Sequence, residues 1–291
     1  MKQPDFTIIT PSFGQLDHLA CCIASVADQG GVEVEHIVQD GGTKGFADFA
    51  KQMAQQWPNR NGYQRTMVSE HDGGMYDAIN KGLKKGTGKV RAYLNCDEQY
   101  LPGALKMVQD FFKNRLNVDV VLGDVIIVGT GGKAICHRKM VKPGLAHTWT
   151  CHFGALTAGI FFREKLVSEG LLFDTSYRAA SDAEWFVRVL QSGKKVQPLR
   201  RTTSTFMESG ENLGLSLTAK EERARLDASA PLYFKVLRPV WVLVHRVRRL
   251  WSGAHRSEDV AYGIYLPKQS GRKAFTAERL RTTWPGRIFN F

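Results

Sequence analysis

The first hundred residues alternate between short apolar runs and segments in which apolar residues recur at helical spacing. The apolar runs predict four strands, at residues 6–10, 34–39, 65–69 and 90–94. The segments between them predict three helices, at residues 16–29, 46–57 and 75–85. Pro11 ends the first apolar run, so we expect the first strand to stop there. Repeated β-α-β order predicts an α/β fold with a mostly parallel central sheet and helices on both of its faces.

The second half of the chain is patterned less regularly. Strands are predicted within residues 118–128, at 158–162 and at 196–199, with helices at 105–112 and 181–190. Ser181 precedes Glu184 by three residues, which predicts a capping box at the start of the last of these helices. The pattern weakens near residue 228, where we expect the main domain, residues 1–228, to end.

Residues 229–291 form a basic tail. From residue 231 onward the chain carries 12 Lys and Arg against 3 Asp and Glu, a net charge of +9, whereas the first 230 residues carry only +3. Within residues 232–251, helical spacing gathers basic side chains in one wedge and leaves apolar ones outside it, with Pro239 kinking or restarting the helix. The wedge consists of Lys235, Arg238, His245, Arg246 and Arg249.

An amphipathic basic helix of this kind can lie on an anionic membrane surface. The competing interpretation is a helix that packs its apolar side on the main domain. A role in nucleic-acid binding is disfavoured, because the aromatic residues are not interleaved with the basic ones as stacking platforms.

The cysteines and the lengths of the apolar runs indicate the cellular compartment in which we expect the protein. The five cysteines show no C-x-x-C spacing, which indicates neither a disulfide framework nor a zinc site. No apolar run follows Met1 as a signal peptide would, and none approaches the ~20 residues needed to cross a bilayer. We therefore expect a cytoplasmic protein.

Polar and acidic residues follow each of the four predicted strands. Thr10, Asp40, Asp72 and Asp97 all fall at these strand ends, two of them in Asp-Gly-Gly. A single Asp-Gly-Gly is more often a turn than a site. Four endings on one edge of a parallel sheet, however, predict a ligand site, because open α/β folds bind ligands there. The acidic pair Asp97-Glu98 can hold a divalent cation, and the cation can hold a diphosphate.

A longer sequence motif includes two of these strand ends. Residues 69–82 read Ser-Glu-His-Asp-Gly-Gly-Met-Tyr-Asp-Ala-Ile-Asn-Lys-Gly, and residues 94–98 read Leu-Asn-Cys-Asp-Glu. With the segments at 9–13, 37–42 and 181–188, they resemble the family 2 glycosyltransferases of bacterial polysaccharide assembly, which have the GT-A fold, a Rossmann-like architecture. The resemblance extends over residues 5–200.

The resemblance implies inverting transfer of a hexose from a nucleotide sugar, by default a UDP-sugar. It implies a nucleotide-sugar half at residues 1–100, an acceptor half at 101–228, and Asp182 as the general base. A divalent metal ion, Mn²⁺ or Mg²⁺, would be held by Asp97. The donor-binding residues that it implies are Thr10, Asp40, Asp72, Asn80, Asn95 and Asp97.

The chain also departs from the family pattern. Asn95 stands in place of the first acid of D-x-D and Glu98 in place of a final Asp, so metal binding is either weaker or rests on Asp97 and the diphosphate. Thr157-Ala158 replaces an acceptor-side His-Gln pair, which leaves the acceptor contacts unassigned. Glu184 competes with Asp182 as the base, although it faces another side of the helix. His147 and His152 receive no role.

These observations favour a glycosyltransferase that extends a bacterial surface polysaccharide or exopolysaccharide on a lipid-linked acceptor. It would work as a peripheral protein on the cytoplasmic face of the inner membrane. A nucleotidyltransferase is the alternative enzyme, although residues 10–15 lack the basic residue of its phosphate loop. A non-catalytic nucleotide-binding protein is the remaining alternative.

Overall fold

The computed structural model describes residues 3–210 and 213–285. Within them the strands are β1 Phe6–Ser12, β2 Val34–Asp40, β3 Tyr63–Ser69, β4 Val90–Tyr93, β5 Gln99–Tyr100, β6 Val120–Gly129, β7 Ala134–Arg138, β8 Ile160–Arg163, β9 Val196–Glu208, β10 Glu258–Tyr265 and β11 Arg272–Leu280. The α-helices are α1 Leu16–Ala27, α2 Phe46–Gln56, α3 Met75–Lys85, α4 Ala104–Asn114, α5 Leu145–Thr150, α6 Lys165–Ser168, α7 Ser181–Gln191, α8 Leu217–Ala228, α9 Leu232–Val236 and α10 Arg238–Trp251.

The described residues contain one nine-stranded sheet in the order β3-β2-β1-β4-β8-β6-β9-β5, with β7 paired to β6. Strands β1 to β4 are parallel, as their alternation with helices predicts. Strand β8 joins this half antiparallel to β4, and the second half mixes parallel and antiparallel pairs. The predicted α/β sheet is therefore confirmed, and its continuous parallel part is β3-β2-β1-β4.

Two strands are longer than predicted. Strand β1 continues through Pro11 to Ser12, because β4 pairs with it only as far as Ile9 and no ladder bond on that side is lost at the proline. Strand β9 does not end at Leu199 but runs to Glu208 beside β6. The register shifts near Asp124, and Arg200 lies at φ 58°, so the apolar pattern breaks where the strand itself continues.

One hydrophobic core connects the two predicted halves of the main domain. Ile9 and Tyr76 from the first half share a cluster with Val120 and Trp185 from the second. Residues 1–100 and 101–228 are thus two parts of a single sheet and core.

The start of α7 is held differently from the predicted capping box. Its N-cap is Ala180, no side chain caps it, and Glu184 pairs with Arg188 instead. The carboxylate of Glu222, on α8, accepts the backbone N–H groups of residues 178, 179 and 180 at 2.5, 2.9 and 2.9 Å. A carboxylate from a distant helix therefore holds the backbone of the loop that leads into α7.

The expectation of a helical tail over residues 229–291 is wrong beyond residue 251. Strands β10 and β11 form an antiparallel hairpin, and residues 286–291 lie outside the described part of the chain. The hairpin packs Tyr262 and Ile264 against Ile126 and Val128 of β6. The alternation of large apolar residues with small ones from Val260 is the strand signal that the charge count obscured.

Polar contacts fix the hairpin to the rest of the molecule. The side chain of Gln99 makes two hydrogen bonds of 2.8 Å to the backbone of Tyr265. Arg272 binds the carboxylate of Asp28, at the end of α1, through Nε and Nη2 at 2.6 and 2.7 Å. The far end of the predicted tail is therefore docked on the main sheet.

Helix α10 begins at Arg238 with Pro239 in its first turn, as the predicted restart requires. Its inward side carries the buried His245, whereas large apolar side chains of α9 and α10 face solvent. The exposed apolar residues are Leu232, Tyr233, Val236, Leu237, Val240, Leu243, Leu250 and Trp251, and we call them the apolar face. Phe234 of α9 packs on Trp149 of α5, so one part of the apolar side contacts the main domain, as the competing interpretation expects, and the apolar face does not. Among the described residues, no helix combines the length and the hydropathy that a bilayer crossing requires.

Candidate active site

A cavity of about 1490 Å³ opens at the carboxyl ends of β1, β2 and β4. A single drug-sized ligand fills roughly 300–1,000 Å³, so this cavity has room for two substrates side by side. Its floor comes from the strand ends, and its walls come from the start of α3, the start of α7 and helix α8. The polar and charged residues that line it include Gln15, Asp72, Asn95, Asp97, His152, Arg178, Asp182 and Arg223.

Phe13 and Asp72 form one end of the cavity. The Phe13 ring is 72% exposed, although it is a large apolar side chain at the end of a buried strand. A Cβ atom at Gly41 would lie 3.0 Å from Asp72 Oδ2 and 3.3 Å from the Phe13 ring, so a glycine is needed for this close approach. An exposed aromatic ring can stack on a nucleobase. The carboxylate beside it can accept hydrogen bonds from the base or its ribose.

Asn95 and Asp97 lie on the floor. Burial raises the pKa of Asp97, and Asn95 Oδ1 is buried with no hydrogen-bond partner among the described residues. Both are oxygen ligands of the kind that Mg²⁺ and Mn²⁺ bind, so the residues present fit the divalent metal that the sequence predicts. Glu98 points away from the cavity and accepts the Asn95 N–H at 2.9 Å.

Asp182 lies across the cavity at the start of α7. Its Oδ1 accepts the Ala183 N–H at 2.8 Å and faces the Tyr76 hydroxyl at 3.4 Å. Burial raises the pKa of Asp182 to about 6, and the Arg223 guanidinium moderates the increase. A carboxylate in this pKa range is ionised at neutral pH and is a stronger base than an ordinary Asp.

Arg178 connects the loop before α7 to the loop before α3. Its Nη1 donates to the carbonyl oxygen of Gly73, and a Cβ atom at Gly74 would lie 2.8 Å from the same nitrogen. Gly74 has φ 113°, a conformation that favours glycine. The glycine pair in the long motif therefore lets an arginine from the second half close the cavity wall.

The structure brings Asp72, Asn95, Asp97 and Asp182 to one cavity but does not bring three other predicted site residues there. Thr10 is fully buried, with its hydroxyl 2.9 Å from His36 Nε2. The side-chain amide of Asn80 is occupied by the backbone N–H and C=O of Phe173, at 3.0 and 2.7 Å. Neither residue lines the cavity, and both have structural partners instead.

Asp40 also lies outside the cavity. Its carboxylate accepts the N–H groups of Gly42 and Thr43 and the hydroxyls of Thr43 and Ser69, at 2.6 to 3.0 Å. It therefore shapes the Gly41-Gly42 turn, whose glycines do line the cavity. The Gly41-Gly42 turn thus reaches the cavity, and the carboxylate of Asp40 stays behind it.

Several cavity residues are assigned no role by the sequence pattern, among them Phe13, Arg178, Arg223 and Trp284. Phe13 stands inside a segment that carries the resemblance, so its exposure after a strand end was an available signal. The other three come from loops and helices that only the tertiary fold brings to the cavity. Glu184 does not line it, and Asp182 is the carboxylate of α7 that does.

Comparison with known proteins places this geometry in a family. The model described as "Glycosyl transferase family 2" matches residues 7–168. A PGL/p-HBAD biosynthesis glycosyltransferase of Mycobacterium bovis (strain BCG / Pasteur 1173P2) is 28% identical over 261 residues, covering 87% of this chain and 95% of the relative.

Solved structures share the fold. S. aureus TarS 1-349 in complex with UDP-GlcNAc superposes with a TM-score of 0.58 at 14% identity, covering 94% of this chain and 99% of that one. The mannosyltransferase PcManGT from Pyrobaculum calidifontis, in complex with GDP-Man and Mn²⁺, has a TM-score of 0.52 at 15% identity, covering 87% and 84%. These likenesses confirm the GT-A fold that the sequence predicts.

Proposed function

The chain belongs to glycosyl transferase family 2, and from this premise we propose that it transfers a sugar with inversion from a nucleotide sugar to a lipid-linked bacterial glycan. The observation that carries the proposal is a single cavity with Asp97 on its floor and Asp182 on its wall. A metal-binding acid and a base of raised pKa, in a space large enough for two substrates, are the components that inverting transfer needs.

The donor occupies the end of the cavity near Phe13 and Asp72. The exposed ring stacks on the nucleobase, and the Asp72 carboxylate accepts hydrogen bonds from the base or ribose. A UDP-sugar is our first choice of donor, supported by the UDP-GlcNAc complex of the structurally similar TarS. The diphosphate then extends toward Asn95 and Asp97.

Asn95 and Asp97 would hold a divalent cation, Mn²⁺ or Mg²⁺, through their side-chain oxygens. When bound, such an ion stabilises the negative charge that the leaving diphosphate gains. The complex of PcManGT with GDP-Man and Mn²⁺ supports this role for a metal in the fold.

Asp182 acts on the acceptor side. The acceptor hydroxyl attacks C1 of the donor sugar, Asp182 takes the hydroxyl proton, and the bond from C1 to the diphosphate oxygen breaks. The nucleoside diphosphate leaves, and the sugar is inverted at C1. Tyr76 orients the carboxylate through Oδ1, and Arg223 keeps the pKa of Asp182 low enough for ionisation at neutral pH.

The apolar face supports a peripheral position at a membrane, on its cytoplasmic side. Eight large apolar side chains exposed on two adjacent helices exceed the scattered exposure that is normal for a soluble surface. The exposed Arg246 stands on the same helix, and a basic residue near an anionic surface contributes about 1 kcal/mol to binding.

A donor screen tests the transfer reaction. Purified protein is offered each common sugar nucleotide with a glycan acceptor, in Mn²⁺ or in EDTA, and release of nucleoside diphosphate is measured. We expect release with one donor, dependent on metal, abolished by Asp182→Asn and retained in Glu184→Gln, a matched change on the same helix. Release of sugar 1-phosphate, with the nucleoside monophosphate transferred to the acceptor, would instead identify nucleotidyl transfer, and binding without release would identify a non-catalytic protein.

Vesicle flotation at low salt tests the membrane assignment. Leu243 is 62% exposed on the apolar face, and Leu116 is 80% exposed after α4. We expect Leu243→Glu to reduce flotation with anionic vesicles and Leu116→Glu to leave it unchanged. Equal flotation of the two variants, or none of the parent protein, would contradict a role for this face.

A further inference from the structure

Three histidines meet beneath helix α10, beside the cavity. His147 of α5 and His245 of α10 are stacked with ring centroids 4.0 Å apart and planes 9° apart, and His152 packs edge-on at 4.5 and 5.3 Å from them. Their ligand atoms lie within 4.8 Å of one another. His147 and His245 are buried, and His147 Nε2 and His245 Nδ1 have no hydrogen-bond partner among the described residues.

Arginines from three elements surround this cluster. Arg138 of β7, Arg223 of α8, and Arg248 and Arg249 of α10 all interact electrostatically with one or more of the histidines. Burial and Arg138 lower the pKa of Arg249 to about 10, so two guanidinium groups stand close together. Arg223 Nη1 is buried without a hydrogen-bond partner in the described part of the chain.

This environment selects the charge of a ligand. Three histidines can form a transition-metal site, but a dication here would be repelled by four guanidinium groups. Rings that are stacked within 9° also direct their in-plane nitrogens side by side, whereas ligands of one metal ion must converge on a point. Nitrogens of stacked rings that lie within 4.8 Å of one another suit an anion with several oxygens, since each can donate to a different oxygen.

The location of the cluster indicates the source of the anion. His152 and Arg223 line the cavity wall, and Asp182 is close enough to Arg223 for the two charges to interact. His245 and Arg249 lie on the inward side of the helix whose outward side carries the apolar face. A molecule with a phosphate end and an apolar chain has the chemistry that matches the two sides of this helix.

We propose that His147, His245, Arg223 and Arg249 bind the phosphate group of a lipid-borne acceptor, so that its glycan end lies beside Asp182. The assignment of that group to an acceptor rests on the proposed glycosyl transfer. The phosphate site itself is defined by the buried donors and can be measured without turnover.

Phosphate binding carries a protonation signature. Burial, with Arg223 and Arg248, lowers the pKa of His147 to about 4, and burial with the neighbouring His147 and arginines lowers that of His245 to about 3. Both rings are neutral in the free protein at pH 5.5, and a bound anion raises their pKa values. Binding therefore favours the protonated forms of both rings, and His152, Arg138 and Arg249 face the same rings.

Calorimetry with geranyl diphosphate in EDTA tests the site, with inorganic pyrophosphate and UDP as separate ligands. We expect Arg249→Gln to weaken geranyl diphosphate binding at least about ten-fold, the loss of one charge-assisted hydrogen bond. Arg115→Gln, an equal charge change at an exposed position after α4, should alter it less than about two-fold. UDP binding should be unchanged in both variants.

Two further measurements complete the test. Arg223→Gln, on α8, should reproduce the loss, which separates a phosphate contact from local damage to α10. Titration of the parent protein at pH 5.5 in buffers of different ionisation enthalpy should show proton uptake on binding.

Binding that survives Arg249→Gln, or occurs without proton uptake, would overturn the inference. The inference would also be overturned if the protein held one equivalent of metal tightly, lost it in His245→Gln, and had no affinity for the diphosphate. Equal affinity for pyrophosphate and geranyl diphosphate would refute the lipid source. If the donor screen fails while geranyl diphosphate still binds, the transferase proposal is wrong and the phosphate site remains.

Discussion

Replacing Asp182 with Asn should abolish turnover and at the same time stabilise the protein at neutral pH. Burial raises the pKa of Asp182 from 3.8 to about 6, a difference of about 2 units. Each unit corresponds to 1.36 kcal/mol, so the charged carboxylate costs the folded state about 3 kcal/mol relative to the unfolded chain. Asn keeps an oxygen that accepts the Ala183 N–H, and it carries no charge to bury.

The free-energy cost of the buried Asp182 carboxylate depends on pH. A carboxyl group whose pKa is higher in the folded state holds its proton more tightly there, so stability is lost as the pH rises between about 4 and 6. The cost is fully present above pH 6 and falls to about 1 kcal/mol at pH 4.5. Asp182→Asn should therefore gain about 3 kcal/mol at pH 7.5, roughly 5 °C in Tm, and much less at pH 4.5.

Urea unfolding and thermal melts at both pH values measure this difference, with nucleoside diphosphate release measured on the same preparations. The competing interpretation of Asp182 is an acidic residue that stabilises the start of α7 through the helix dipole, by about 0.3–1 kcal/mol. In that case Asp182→Asn would be less stable at pH 7.5. A destabilised variant, or one with full turnover, would refute the assignment of Asp182 as a catalytic base whose buried charge destabilises the folded state.

Three further predictions follow from single contacts. The transfer rate of the parent protein should fall as the pH is lowered through about 6, where Asp182 becomes protonated; a flat profile from pH 5 to 8 would exclude it as the base. Phe13→Ala should raise the KM for the donor roughly ten-fold with little change in kcat or Tm, because the ring is exposed and stacking contributes about 1–3 kcal/mol. Asn80→Ala should lower the free energy of unfolding by about 2–3 kcal/mol in urea, since it leaves the buried N–H and C=O of Phe173 without partners; a change below 0.5 kcal/mol, within the usual range for surface substitutions, would contradict that role.

The first half of the fold could be read from the sequence because its signals are local. Each parallel strand contains a short apolar run that leads into a loop with a glycine or an acid, and the helices between the strands have clear spacing. Strand β9 and the hairpin could not be recovered in this way. Their alternating residues are largely polar or charged, and their pairing with β6 or with each other joins distant parts of the chain.

The candidate site shows the same division. Motif position identified the turns that reach the cavity, since a strand end fixes where its backbone lies. It did not determine which side chain of a turn faces the ligand, because Asp40 and Asn80 are occupied by hydrogen bonds that depend on local backbone geometry. Arg223 and the histidine cluster belong to helices whose approach to the cavity follows from packing alone.

The docked hairpin has a consequence for how the enzyme can be handled and oriented. A fragment ending after α8 would uncover Ile126 and Val128, so such a truncation should aggregate instead of yielding an isolated catalytic unit. The same docking holds the chain that follows α10, while the ion pair between Arg238 and Asp227 holds the chain that precedes it. Because α10 is held at both ends, its orientation relative to the cavity is fixed. Any surface that binds the apolar face therefore meets the cavity opening at one angle.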